Sequence, residues 1–143
     1  MWQSADRGNK DHAEALSNLG RLLSKEGNLS EAGQLLERAL ELAPKTIESH
    51  YALAPLKRYS AEDPQAQALE EIARSTANLT EKERIQLYFT LGKMREDLGN
   101  YPAAFAAFEQ GNSLRKSQLK VDDSQWEKLK VPLNWADQIS ARE

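Results

Sequence analysis

The chain of 143 residues contains no cysteine and only two histidines. The absence of cysteine excludes disulfide bonds, thiolate metal sites and a cysteine nucleophile from these residues. His12 and His50 stand far apart in the sequence, and no carboxylate pattern beside them would complete a metal site or a proton relay. We therefore expect both histidines to be surface or packing residues, and we expect no metal and no cofactor.

Charge and hydropathy exclude further classes of protein. The net charge of -3 argues against a general affinity for nucleic acid, which rewards a basic surface. No apolar run approaches the roughly 18 residues of a membrane span, and the first residues lack the apolar core of a signal peptide. These features predict no membrane contact and a cytoplasmic location. The sequence also lacks a phosphate-binding glycine loop, a nucleophile elbow and a zinc signature, so we predict that the protein is not an enzyme.

One pattern is present twice, over residues 13–46 and 85–116. In each copy, apolar residues recur at three- and four-residue steps, as they do on one face of a helix. A glycine–asparagine turn follows, at Gly27-Asn28 and again at Gly99-Asn100, and a second helical pattern begins after it. The residues expected to pack inside the second copy are Leu87, Leu91, Met94, Leu98, Ala104, Phe105 and Phe108, with Gly111 as a further candidate.

Glycines occupy equivalent places in the two copies. Gly20 precedes Gly27 by seven residues, as Gly92 precedes Gly99. A glycine in an apolar stripe lets a second helix approach closely, whereas a glycine after the last turn can take the left-handed conformation that ends a helix. Gly20 and Gly92 are 72 residues apart, which predicts a further helix pair between the two copies.

That intermediate unit should occupy residues 47–80 in a degenerate form. Pro55 falls inside its first helix, where a missing hydrogen bond and a steric clash predict a kink or a short helix. Asp63 and Pro64 have the residue types of an N-cap and a first turn, so the second helix should begin there. Thr80 to Glu83 has the sequence of a capping box and should open the next helix.

The two clear copies resemble the tetratricopeptide repeat, a helix-turn-helix unit of about 34 residues. In the second copy, Gly111 replaces the usual alanine and Lys116 replaces the usual proline. The matching residues are Leu16, Leu19, Gly20, Leu23, Ala32, Leu36, Ala39 and Pro44 in the first copy, and Tyr88, Leu91, Gly92, Ala104 and Phe108 in the second. The resemblance implies an all-α fold, a right-handed α-α superhelix of about three antiparallel helix pairs followed by one or two capping helices.

The resulting domain layout has three parts. A flexible N-terminus of residues 1–12 precedes the repeat domain of residues 13–118, and a C-terminal capping segment covers residues 119–143. The repeats should span about 13–46, 47–80 and 81–118. In the last segment, Asp123-Ser124 is expected to cap a short helix that contains Trp126 and Leu129 and ends at Pro132. Asn134 is expected to cap a second helix, which contains Trp135 and Ile139. These residues are expected to seal the last repeat, as solenoid ends require; the alternative is that they lie in the groove or on a second chain.

Residues 50–116 also resemble the repeat region that precedes the catalytic domain in tetratricopeptide-repeat sulfotransferases. The features that carry this resemblance are Glu62-Asp63-Pro64, Phe89, Leu91-Gly92-Lys93, Glu96-Asp97, Ala104-Phe105 and Gly111-Asn112. After Lys116 the sequence has no glycine-rich loop with basic and hydroxyl residues to hold the phosphate of a sulfonate donor. Sulfotransferase activity is therefore not carried over to these residues by the resemblance.

In stacked repeats the first helix of each pair lines a concave groove. The expected register places six candidate binding residues there: Arg21, Tyr51, Arg58, Tyr59, Phe89 and Lys93. The three aromatic side chains would anchor apolar groups, and the three cations would select acidic ones, which suits a peptide or helix of a partner protein. An equally open reading is a merely solvated face.

We therefore predict a non-catalytic protein–protein interaction module that binds a peptide or helix in its groove. Two alternatives are an accessory N-terminal region of a sulfotransferase of the tetratricopeptide-repeat type and a repeat protein that self-associates into a homo-oligomer. Some members of the family clamp the terminal carboxylate of a peptide with lysine and asparagine. The equivalent positions here are Ser17, Arg21, Ala52, Gln86 and Thr90, so that clamp is not reproduced.

Overall fold

A computed structural model describes the backbone of residues 2–129 and the side chains of residues 11–128. All regular structure in this part of the chain is helical, which confirms the predicted all-α fold. No helix within it is long and apolar enough to cross a membrane. The helices are α1 (Trp2–Lys25), α2 (Leu29–Leu42), α3 (Ile47–Leu53), α4 (Pro64–Ala73), α5 (Glu81–Asp97), α6 (Tyr101–Leu119) and α7 (Asp123–Leu129).

The two clear sequence copies form the two most extensively packed helix pairs, α1 with α2 and α5 with α6. Gly27 and Gly99 end the first helix of each pair in the left-handed conformation, with φ of +90° and +82°. A Cβ atom built on Gly20 would lie 2.8 Å from Leu36 Cγ, and one on Gly92 would lie 2.7 Å from the Phe108 ring. The close helix approach predicted at both glycines is confirmed.

The intermediate unit is irregular where proline predicts it to be. Helix α3 stops at Leu53, and a 3₁₀ turn from Ala54 to Leu56 that contains Pro55 follows it. Helix α4 begins at Pro64, and the Asp63 carboxylate accepts a hydrogen bond from Gln65 N at 2.9 Å. Both α3 and α4 pack on α5, and α3 also packs on α2. The two helices of this unit are therefore held in place mainly by contacts with helices of the neighbouring units.

The capping box at the start of α5 is present as predicted. The backbone N of Thr80 donates to Glu83 Oε1 at 3.0 Å, and the backbone N of Glu83 donates to Thr80 Oγ1 at 3.1 Å. A reciprocal pair of this kind satisfies donors that the first helical turn leaves without partners. It fixes the starting point of the helix on which much of the core is built.

Both ends of the described chain are helical. Helix α1 begins at Trp2, inside the segment of residues 1–12 for which the sequence predicts flexibility, and that flexibility stays a prediction. The helix predicted around Trp126 is present as α7, with Trp126 buried. Asp122 and Gln125, rather than Asp123-Ser124, exchange the hydrogen bonds at its start. The predictions for Pro132, Asn134, Trp135 and Ile139 lie outside the described residues.

Several residues that the sequence predicted to be buried are exposed in the structure. Phe105, expected to face α5, is 51% exposed, and Leu98 and Leu19 are also exposed. Phe105 follows Ala104, whose side chain is buried, and neighbouring residues on a helix point about 100° apart. One cluster of the core joins Leu69 of α4 to Leu87, Leu91 and Met94 of α5.

Candidate functional site

A surface cleft of about 260 Å³ lies where α1, α3 and the first turns of α5 meet. These are the first helices of the three units, so the cleft lies on the face that the sequence predicted as a groove. Two of the six candidate residues, Arg21 and Tyr51, line it. The other residues of its wall include Ser24, Lys25, Glu48, Ala52, Pro55, Lys82 and Gln86.

The charges around this cleft are unbalanced. Three cationic side chains, Arg21, Lys25 and Lys82, line it with a single carboxylate, Glu48. The Glu48 carboxylate is shared, with Arg21 Nη1 at 3.6 Å and Lys82 Nζ at 3.5 Å from Oε1. These separations are long for a hydrogen-bonded pair and the groups are well exposed, so both pairings are weak. An incoming carboxylate would find cations that Glu48 only partly neutralises.

Tyr51 supplies an apolar surface beside these charges. It is half-buried against the cluster formed by Ile85, Phe89 and Phe108. Burial raises the pKa of its phenol, and the nearby Arg115 opposes this only in part, so the ring remains neutral at physiological pH. A neutral aromatic ring beside cations suits a ligand that has both apolar and acidic groups.

Tyr59 and Phe89 are not in the groove, which makes their expected role as exposed anchors wrong. They are 3% and 1% exposed. The Phe89 ring packs against the Phe108 ring with centroids 6.5 Å apart, inside the α5–α6 pair. Tyr59 lies in the cluster that contains Leu69 and Leu87. Neither ring can contact a ligand unless the core opens.

Lys93 is likewise occupied inside the protein. Its ammonium pairs with Asp97 and donates to the carbonyl oxygen of Lys57 at 2.5 Å. The Asp97 carboxylate also accepts a hydrogen bond from the backbone N of Tyr59 at 3.0 Å. The side chains of Lys93 and Asp97 are only 13% and 14% exposed, so Lys93 stabilises the 57–63 loop instead of facing a ligand. Arg58 is exposed but does not line the cleft.

Sequence reasoning missed Glu48, Lys82 and Gln86 as members of one site. Lys82 was assigned only to the capping box, yet it precedes Gln86 by four residues and so shares its helical face. Gln86 itself was considered only as a clamp position. Stepping back one helical turn from Gln86 on α5 would have found Lys82, which the expected groove register did not include.

A second cleft, of about 460 Å³, lies between α1 and the start of α3 and shares Arg21 and Glu48 with the first. Its floor includes the buried pair Ser17 and Ser49, whose hydroxyls are hydrogen-bonded at 2.8 Å. The two clefts are therefore adjoining parts of one furrow along α1 and α3, with Arg21 and Glu48 at their boundary. An extended segment could contact both parts at once.

His50 is a buried packing residue, which is one of the two roles, surface or packing, that the sequence predicted for it. It is 1% exposed, and its Nε2 atom lies 2.7 Å from the carbonyl oxygen of Pro44. Burial lowers the pKa of His50 below its ordinary 6.5, and Lys57 lowers it further, while the Pro44 contact and Asp63 act in the opposite direction. The neutral ring at pH 7 therefore donates from Nε2 to Pro44.

This burial predicts a pH-dependent stability. Unfolded His50 binds a proton below about pH 6.5, whereas folded His50 resists protonation until a lower pH. Stability should therefore fall as the pH drops below about 6.5, by at most about 1.4 kcal/mol per pH unit from this group. Urea unfolding between pH 7.5 and 5 measures the slope of the unfolding free energy against pH. His50→Gln should remove part of that slope, and His12→Gln, at an exposed site, should not. Equal slopes in wild type and His50→Gln would contradict the prediction.

Within the described residues, no group of three histidine, aspartate or glutamate side chains could hold a metal ion. Comparison with protein families finds the tetratricopeptide repeat twice, at residues 13–46 and 85–118. Each match covers one of the two hairpins whose glycines permit close packing. Both matches support membership of the tetratricopeptide-repeat family. Such repeats generally mediate protein–protein interaction and are typically non-catalytic scaffold modules. No curated protein and no solved structure matches the chain.

Four of the residues that suggested a resemblance to sulfotransferase repeat regions have packing roles in this fold. Asp63 caps α4 and pairs with Lys57 at 2.5 Å, and Asp97 holds Lys93 and the Tyr59 backbone. Gly92 admits the Phe108 ring, and Gly111 lies against Phe89, whose Cε1 atom would be 3.2 Å from an added Cβ. These four residues thus help to determine how the helices and the 57–63 loop fit together.

Proposed function

We propose that the furrow along α1 and α3 binds an acidic segment of a partner protein, an extended peptide or one face of a helix. The observation that carries this proposal is the surplus of cations around Glu48 beside the half-buried Tyr51 ring. The three cations come from the first and third units, so folding is required to bring them together. The family's general role in protein–protein interaction supports the same class of ligand.

The expected binding mode combines one apolar anchor with charge selection. An aliphatic or aromatic side chain of the partner would pack on Tyr51, and a neighbouring carboxylate would displace Glu48 from Arg21 or Lys82. Because these cations are at the rim of the cleft, they should influence association rate and salt dependence more than they influence dissociation. The partner's acidic residue is expected to lie within one or two positions of its apolar anchor.

The test begins with a fluorescently labelled library of short peptides that combine acidic and apolar residues, screened against the full chain by anisotropy. With the best acidic peptide as probe, Tyr51→Ala should weaken binding by roughly 2 kcal/mol, about thirtyfold. Arg21→Ala and Lys82→Ala should each weaken it by about threefold to fivefold and should reduce its salt dependence.

Gln34→Ala, an exposed substitution on α2 away from the cleft, is the matched control. Circular dichroism and thermal unfolding should show that each variant remains folded. The proposal fails if Gln34→Ala weakens binding as much as the cleft substitutions, or if peptides with lysine in place of their acidic residues bind equally well.

A further inference from the structure

A separate cleft of about 310 Å³ lies between α2 and the start of α4. It is walled by α2, the start of α4, His50 of α3 and the 57–63 loop, and it shares no lining residue with the furrow. Its shape follows from the irregular intermediate unit: α3 ends at Leu53, and the chain then runs through the 57–63 loop before α4 begins. Leu40 and Ala68 give this cleft apolar walls.

One residue of the cleft wall has a buried hydrogen-bond acceptor without a partner. His50 contributes to its wall, and Nε2 of the ring donates to Pro44 O. The other ring nitrogen, Nδ1, then carries a lone pair, and it is buried with no hydrogen-bond partner in the described part of the protein. Buried polar atoms are almost always paired, so an unpaired acceptor in a residue that lines a cleft points to a donor that could enter from the cleft.

The charge of the cleft indicates what kind of donor would fit. Asp63 is already paired with Lys57 at 2.5 Å and with Gln65 N at 2.9 Å. Glu37 and Glu41, one turn apart on α2, are exposed at the cleft and have no salt-bridge partner among the described side chains. Like charges at this spacing repel each other, and a cation between them would relieve the repulsion. The cleft thus combines a residue with an unpaired buried acceptor, apolar walls and two unpaired carboxylates, while the charge of Lys57 in its lining is neutralised by Asp63.

We propose that this cleft binds an organic cation on a short aliphatic stem, an alkylguanidinium or alkylammonium group. The stem would lie against Leu40 and Ala68, one N–H would donate to His50 Nδ1, and the remaining charge would face Glu37 and Glu41. A guanidinium fits best, because its several N–H donors lie in a fixed plane and can reach a ring nitrogen and a carboxylate together. The volume lies at the lower limit of ligand sites, which favours one side chain or a small molecule of that size.

The experiment uses the full chain labelled with ¹⁵N and three probes. Nα-acetylarginine N-methylamide represents an arginine side chain of a partner, agmatine represents a free alkylguanidinium, and the citrulline analogue of the first probe is its neutral isostere. Nuclear magnetic resonance titration should show saturable shifts of the His50 ring nitrogens with the cationic probes and not with the citrulline analogue. Binding by both cationic probes would indicate that a free small molecule suffices, and binding by the blocked arginine alone would indicate a partner's side chain.

A charge-matched pair of variants then tests the carboxylates. Glu37→Gln with Glu41→Gln should weaken binding of the blocked arginine by about tenfold, because two exposed ion pairs are lost. Glu26→Gln with Glu109→Gln removes the same charge from exposed sites outside the cleft and should leave the affinity unchanged. The proposal is overturned if no saturable shift occurs, which would leave water as the donor to His50, if the citrulline analogue binds equally well, or if both double variants weaken binding equally. It does not rest on peptide binding in the furrow, and failure of either leaves the other standing.

Discussion

Phe89→Ala is expected to lower the free energy of unfolding by about 3–5 kcal/mol, the range found when a large aromatic side chain is removed from a core. The ring is 1% exposed and packs against Phe108 and Ile85 in the cluster that joins α5 to α6. Little can move into the space that it leaves, because Gly111 contributes no side chain there. The loss is a large fraction of the roughly 5–15 kcal/mol by which a domain of this size is stable.

The measurement is urea unfolding followed by circular dichroism, with Phe105→Ala as the matched control. Phe105 is the same residue type on the partner helix α6 but is 51% exposed, so its truncation should change stability by only about 0.5 kcal/mol. Should Phe89→Ala fail to fold, Phe89→Leu keeps most of the volume and should cost less than about 1.5 kcal/mol. If Phe105→Ala is as destabilising as Phe89→Ala, the assignment of the two rings to core and surface is wrong.

These two phenylalanines also show where the sequence is informative and where it is not. The helical hairpins, their turns and the close approach at Gly20 and Gly92 could be predicted, because each rests on residue types at short and repeated spacings. The inward direction of Phe89 and the outward direction of Phe105 could not. Helix α5 packs on α3, α4 and α6, so its buried residues extend around most of its circumference, beyond the one stripe that the sequence shows, and that stripe does not place Phe89.

The intermediate unit gives a second example. Pro55 predicted that the helix would break, and it does, at Leu53. The sequence did not predict where the chain runs afterwards, because the contact that fixes it joins the Tyr59 backbone to Asp97, 38 residues later. Lys93 was expected to be a groove cation, and its pairing with Asp97 one helical turn later was overlooked; its other partner, the Lys57 carbonyl, comes from the distant loop. Local patterns do not show pairings over such separations.

The candidate furrow was predicted in part. Repeat register placed the first helices along the groove, and Arg21 and Tyr51 line the candidate furrow; their role in binding a partner stays a prediction. Tyr59 was expected on the same groove face as Arg21 and Tyr51. Because the helix breaks at Pro55, Tyr59 lies beyond the end of α3 and is buried in the core. Lys82 could have been found, since it lies one helical turn before Gln86.

Asp97→Ala is expected to destabilise the protein by about 2–4 kcal/mol, which is a large effect for a polar substitution. Removing one member of a buried ion pair leaves the other charge uncompensated, and this typically costs about 3–5 kcal/mol, reduced here because each side chain is about one-eighth exposed. The loss would leave Lys93 with only the Lys57 carbonyl as a partner and would leave the Tyr59 N–H without an acceptor. The Tyr59 ring cannot replace the lost carboxylate as a partner of Lys93. Its face is already in contact with the ammonium groups of Lys57 and Lys93, which lie 4.7 Å and 5.7 Å from the ring centroid.

Two further substitutions separate charge from hydrogen bonding in this cluster. Asp97→Asn keeps an oxygen that can accept from Tyr59 N but removes the negative charge, so its effect should be smaller than that of Asp97→Ala by about 1 kcal/mol, the usual net value of one hydrogen bond. Asp123→Ala breaks the pair with Lys116 on the surface, where Asp123 is 92% exposed, and should leave the unfolding midpoint unchanged. Equal midpoints for Asp97→Ala and Asp123→Ala would show that the Lys93–Asp97 pair does not hold the 57–63 loop against α5. Hydrogen exchange at the Tyr59 amide gives an independent readout, since Asp97→Ala should accelerate it and Asp123→Ala should not.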